Sequence, residues 1–87
     1  MKKKTKRQLL AMYDWVGGFC EGLAPARGKK GEFHVCRDGT PAYPQRFAYV
    51  SFFDNGLAEV RGKRGRWFYI NHDGKKRRKR RKRILTV

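Results

Sequence analysis

Nine consecutive cations, Lys75, Lys76, Arg77, Arg78, Lys79, Arg80, Arg81, Lys82 and Arg83, have the plainest chemistry in this 87-residue chain. A run of this kind lies along a polyanion and releases its condensed counterions. With all nine engaged, log K falls with log salt at a slope of about −6 on single strands and about −8 on duplex DNA. Such contacts reach phosphate, which sets position and carries no base sequence. Lys2, Lys3 and Lys4, with Lys6 and Arg7, offer the same chemistry at the other end. The competing reading is a solubilising tail, because blocks of like charge repel themselves and commonly stay disordered.

Other chemistries are weaker. Cys20, His34, Cys36 and His72 carry metal-ligating atoms, but zinc modules use a close pair such as Cys-x2-4-Cys, and here Cys20 has no neighbour. No metal and no cofactor is assigned. Ser51 is the sole serine, and the acids Glu21, Asp38, Asp54 and Asp73 fall at turn positions. There such side chains ordinarily bond their own turn backbone. Nucleophilic or acid/base catalysis needs an oriented second and third group, so the chain reads as non-enzymatic. Trp67, Phe68 and Tyr69 are successive, so in a strand Phe68 points away from the other two. With Arg61, Lys63, Arg64 and Arg66 close in sequence, Phe68 is a candidate for stacking a nucleobase. Against this stands the need of a small β domain to use its aromatics as core.

The elements that position these groups come from a repeat. Residues 13–34 return as residues 47–68 with nine of twenty-two aligned positions identical: Val16/Val50, Phe19/Phe53, Gly22/Gly56, Leu23/Leu57, Ala24/Ala58, Arg27/Arg61, Gly28/Gly62, Lys29/Lys63 and Gly31/Gly65. One residue is then gained, and Asp38/Asp73 and Gly39/Gly74 resume at an offset of thirty-five. Repeats of about 20 to 50 residues mark stacked supersecondary units. Each copy holds three short apolar stretches separated by glycine-containing turns, which predicts strands. The fold class is therefore all-β, an antiparallel meander of about six short strands in two tandem repeats. The termini are basic, disordered or partly helical, and residues 6–12 have the propensity for one or two helical turns. The domain plan is a basic segment 1–12, a first repeat with its Pro-containing connector 13–46, a second repeat 47–74, and a basic tail 75–87.

Charge follows the same plan. Of the net +16, the first seven residues hold +5 and residues 75–87 hold +9. Residues 8–74, with nine basic and seven acidic side chains, keep only +2. Eighty-seven residues bury only about 60% of their unfolded surface, which disfavours a deep substrate cavity. Two cysteines are too few for a disulfide framework, and no stretch approaches the ~20 apolar residues of a membrane span. The expectation is a soluble chain in a reducing cytoplasm.

The residues Tyr13-Asp14-Trp15-Val16-Gly17-Gly18-Phe19-Cys20-Glu21-Gly22-Leu23-Ala24, with a Gly-Lys-Lys-Gly turn and an Asp-Gly end, resemble the WG-repeat family of bacterial β-rich repeats. Phe52-Phe53-Asp54-Asn55-Gly56-Leu57-Ala58 through Asn71-His72-Asp73-Gly74 resembles it too, as does the connector over residues 38–47. The chain departs from the family where the third strand should carry Trp-Gly: it has Phe33-His34 and Trp67-Phe68, which leaves the aromatic role to Phe33 and Trp67. The resemblance implies a bacterial binding or scaffold module with no shared catalytic activity. Two units fall short of the three or more that stacked repeats need, which predicts self-association, ordering on a protein partner, or marginal stability. The reading is thus a binding module whose basic termini engage nucleic acid or another polyanion. Its rival is a purely structural or protein-interaction piece of a larger repeat protein.

Overall fold

The computed structural model describes residues 3–78 of the chain. These are β-rich, as the repeat pattern predicts: seven strands in two antiparallel sheets follow one short helix. Helix α1 (Lys6–Met12) opens on a capping box, in which Thr5 Oγ1 accepts from the Gln8 amide and Gln8 Oε1 accepts from the Thr5 amide. Seven residues are too few for a free helix. Packing supplies the rest: Leu9 is fully buried, and the Lys4 amide donates to the Arg37 carbonyl at 2.7 Å. The N-terminal segment is therefore docked on the first repeat rather than hanging from it.

The first sheet runs β1 (Trp15–Val16), β2 (Ala24–Gly28), β3 (Gly31–Val35) in sequence order, and the second runs β4 (Tyr49–Val50), β5 (Ala58–Arg61), β6 (Trp67–Ile70), β7 (Lys76–Arg77). In both repeats the first reversal places two consecutive residues at positive φ, Glu21-Gly22 (55° and 80°) and Asn55-Gly56 (52° and 80°). That is the backbone of a two-residue turn whose twist matches the flanking strands. Paired amide–carbonyl bonds between Cys20 and Leu23, and between Asp54 and Leu57, close each turn. Asn tolerates this left-handed region, whereas Glu21 is strained in it.

The extra residue of the second copy lies in the next turn. Gly28 pairs directly with Gly31, but Arg61 pairs with Trp67 across five intervening residues. The insertion sets the register of β6, so Ala26 faces Phe33 where Val60 faces Phe68, and Arg27 faces Glu32 where Arg61 faces Trp67. The counterpart of Phe33 is therefore Phe68, which corrects the assignment of that role to Trp67. The ring contacts agree: Tyr13 meets Phe33 edge-on at 5.3 Å, and Phe47 meets Phe68 edge-on at 5.8 Å.

β7 is a second correction, because it adds a seventh strand within the basic tail. Asn71 Oδ1 accepts from the Asp73 and Lys75 amides, and the Asn71 amide donates to the Lys75 carbonyl. This turn lays Ile70 opposite Lys76 and Tyr69 opposite Arg77. Satisfying the backbone groups of β6 outweighs local charge repulsion there. In the first repeat the connector does the same job, with Val35 opposite Pro41 and the Ala42 amide bonded to the His34 carbonyl.

The core is continuous through both repeats, from Leu9 and Val16 through Phe33, Val35, Tyr43, Phe47 and Val50 to Phe53, Val60 and Ile70. Gly74 shows how tightly the units meet. At φ 78°, a Cβ there would lie 2.6 Å from the Tyr43 ring, so only glycine fits under the connector.

Candidate nucleic-acid interface

Of the basic run, Lys75, Lys76, Arg77 and Arg78 are described, and all four are exposed. β7 alternates their direction. Lys76 Nζ sits 5.2 Å from the Phe68 ring centroid, while Arg77 and Arg78 line an open groove of about 580 Å³ together with Phe52, Glu59, Tyr69 and Asn71. Lys79, Arg80, Arg81, Lys82 and Arg83 lie outside the described residues, as does Lys2. Lys3 and Lys4 are exposed ahead of α1, and Lys6 Nζ donates to the Gly17 carbonyl at 3.0 Å.

Phe68 is placed against its expected role. It is half-buried, packs on the core and meets Phe47, because the register of β6 turns it inward with Ile70. The open ring of this strand is Trp67, 54% exposed, and it has company: Phe52, Tyr49 and Trp15 are 48%, 44% and 43% exposed. Four large aromatics exposed together form an apolar patch of the kind that commonly marks contact sites.

These rings follow the strand register. Trp15 lies across from Arg27, which lies across from Glu32; Tyr49 lies across from Arg61, which lies across from Trp67. Trp15 and Tyr49 are repeat equivalents, as are Arg27 and Arg61. Tyr49 and Trp67 are 5.6 Å apart edge-on, with the Arg61 guanidinium 5.9 Å from the Trp67 centroid. A groove of about 360 Å³ joins the two triplets, walled by Trp15, Tyr49 and Phe52 over Pro25 and Val50, with Arg27 and Glu32 at its edge. Gly17 makes room for the wall: a Cβ would come within 2.8 Å of Pro25 and 2.9 Å of the Trp15 indole. Trp15, Tyr49 and Arg27 were missed as site residues in the sequence. The offset of thirty-five at Asp38/Asp73 was the available signal, since carried back into the third strand it pairs Phe33 with Phe68 and leaves Trp67 outward.

A polar clasp holds the repeats behind this face. Glu32 Oε2 pairs with Arg27 at 3.0 Å, and its Oε1 accepts from the Val50 amide at 3.0 Å. The Glu32 and Phe47 backbones exchange two hydrogen bonds. His34, fully buried, lies 2.7 Å from the Ser51 carbonyl through Nε2 and 2.6 Å from the Tyr43 hydroxyl through Nδ1. A carbonyl only accepts, so Nε2 carries the proton and Nδ1 accepts from the tyrosine. Burial lowers the His34 pKa to about 4, and the same burial raises the Tyr43 hydroxyl above its ordinary range. Glu21 bridges to the second repeat, bonding the Gly56 amide at 3.0 Å and His72 Nε2 at 2.8 Å. The histidine bond, followed by the Gly56 amide, holds its carboxyl below the usual value. Glu21 was read as a former of its own turn; it spends its carboxylate on the neighbouring repeat. Asp38 does act locally, accepting from the Thr40 amide and hydroxyl, which lowers its pKa.

Ser51 Oγ accepts from the Glu59 amide and donates to the Phe52 carbonyl. Among the described residues no three His, Cys, Asp or Glu side chains cluster as metal ligands, and no helix is long and apolar enough to cross a membrane. Cys20 and Cys36 are both unpaired thiols. No protein-family model, no curated protein and no solved structure matches the chain.

Proposed function

We propose that this chain is a non-enzymatic binding module, a divergent relative of the WG repeats, whose basic ends engage nucleic acid or another polyanion. The observation that carries the reading is the division of charge: a body of +2 between ends of +5 and +9. The fold gives that division a direction. β7 anchors the first cations of the run to a sheet edge with their side chains in solvent, so an anion meets an ordered entry point. Exposed lysines and arginines beside a near-neutral scaffold raise the local anion concentration without requiring a pocket.

The test is a charge-neutralised full chain. Replacing the cations at positions 79–83 with glutamine leaves β7 intact. Filter binding of single-stranded RNA across a salt series should then show the slope of log K against log salt shallower by about 3 to 4, from 0.7 per lost contact. An unchanged slope, or no salt-sensitive retention by the native chain, overturns the reading.

The Trp67 end of β6, ahead of the Tyr69 and Ile70 that β7 pairs, favours a second reading, a protein-interaction repeat. Glu32 exchanges backbone bonds with Phe47, whereas Trp67, at the same register position, has no such partner among the described residues. A stretch with no ladder partner among the described residues can take an extended strand from another chain. Light scattering at twice 10.3 kDa would identify that strand as a second copy.

A further inference from the structure

We infer that the line of side chains running Trp15, Arg27, Tyr49, Arg61, Trp67 across both sheets is a stacking platform for unpaired bases. This makes a single-stranded nucleic acid, rather than a duplex or a bare polyanion, the ligand of the module. The inference rests on the proposed polyanion function and deepens it.

Three observations carry it. First, the line is built by register: each residue is the cross-strand neighbour of the next within a sheet, and the groove walled by Trp15 and Tyr49 joins the two sheets. Strands lie about 4.8 Å apart, so a line through six of them extends about 24 Å, enough for several nucleotides. Secondly, its aromatics alternate with guanidinium groups. Bases stack on aromatic faces whatever their identity, while arginines answer the phosphates and add planar contacts of their own. Glu32, beside Arg27, is bound on both oxygens, by Arg27 and by the Val50 amide; that ion pair cancels its own charge and leaves Arg61 as the guanidinium of the line outside an ion pair among the described residues. Thirdly, the line opens toward the basic tail. Phe52 walls both the groove beside Trp15 and the larger groove that Arg77 and Arg78 line. A strand held at Arg77 and Arg78 thus reaches the rings past Phe52, along a groove that Asp54 and Glu59 also line. The charge of the chain as a whole decides the occupant. Proline-rich peptides and neutral glycans also bind aromatic grooves, but neither is drawn by a body of +2 flanked by ends of +5 and +9.

The chain reports on this site by itself, because its two tryptophans are Trp15 and Trp67. Full-length protein is titrated with a 12-nucleotide single-stranded oligonucleotide, the matched duplex, and inorganic polyphosphate of equal charge, and tryptophan emission is followed. The single strand should quench emission, and polyphosphate should bind with similar salt dependence but without quenching. Trp67→Ala should weaken single-strand binding by about 5- to 150-fold, the range for one lost base stack, and leave the salt slope unchanged. Trp67→Phe should restore most of it, and circular dichroism of each variant verifies the fold. Salt-sensitive binding with equal affinity for duplex and single strand, unmoved by Trp67→Ala, overturns the platform and leaves the polyanion function standing. Quenching by a proline-rich peptide or a neutral oligosaccharide but not by the oligonucleotide overturns it in favour of that class. Binding of no anion overturns both readings.

Discussion

Glu32 and Trp67 hold the same position in two sheets, each directly across from a repeat-equivalent arginine, yet one is 8% exposed and the other 54%. The difference is what comes next in space. Repeat one has a second unit stacked on its edge, and three of its residues close on that unit: Glu21 on Gly56 and His72, Glu32 on Val50, and His34 on Ser51. At the same positions repeat two carries Asn55, Trp67 and Tyr69. The copies agree where each folds itself, in turns and inward apolar positions, and differ where one must bind the other. A junction selects carboxylates and imidazole with defined partners, and a terminal face is free to carry rings and arginine.

That contrast can be broken most severely at Glu32. Glu32→Ala strands the buried Val50 amide and releases the solvent-exposed Arg27, and should cost about 2 to 3 kcal/mol, lowering Tm by roughly 10 °C or more in a thermal melt. A change below about 0.5 kcal/mol would show that the junction is held by packing alone.

Acid should come next in size. His34 ordinarily titrates at 6.5 and is held at about 4 in the fold by burial. The unfolded chain therefore takes the proton first, so this contribution is complete above pH 6.5 and is lost as pH falls toward 4. Urea melts should show about 2 kcal/mol less stability at pH 5 than at pH 7. His34→Asn should flatten that dependence; a variant with the same slope as the native chain would place the acid sensitivity elsewhere.

Trp67→Ala sharpens the comparison from the other side. It removes an exposed ring with no junction to hold, so stability should fall by about 0.5 kcal/mol or less in the same melts. A loss matching that of Glu32→Ala would mean that the two edges are not different in kind. The smallest effect belongs to Glu21→Gln. It keeps an acceptor for the Gly56 amide but removes the carboxylate charge beside His72, and should give a slight fall in Tm that disappears in high salt. A fall that persists at 1 M salt would make the bond, and not the charge, the relevant quantity.

Much of the fold was legible in the sequence. Paired Gly22/Gly56 and Leu23/Leu57 marked hairpins because turn chemistry is local, and residues 6–12 showed helix propensity, which the Thr5–Gln8 capping box then fixes. The tail strand was not legible, since the pairing of Lys76 and Arg77 depends on unsatisfied groups of β6, and charge patterning alone argues for the opposite. The exposed aromatic face was half legible. Alternation along residues 67–69 separated Phe68 from its neighbours correctly, but which side is core depends on a register displaced by one residue in the preceding turn.

The sequence alone determined the repeated β plan, the positions of its reversals, and a nearly neutral body between cationic ends, because these depend on neighbouring residues and on composition. Only the tertiary structure decided that Glu21, Glu32 and His34 clasp the second repeat, that Phe68 turns inward, and that Trp15, Tyr49 and Trp67 share one open face. Their partners lie on other strands, and no local pattern records which edge a strand will meet.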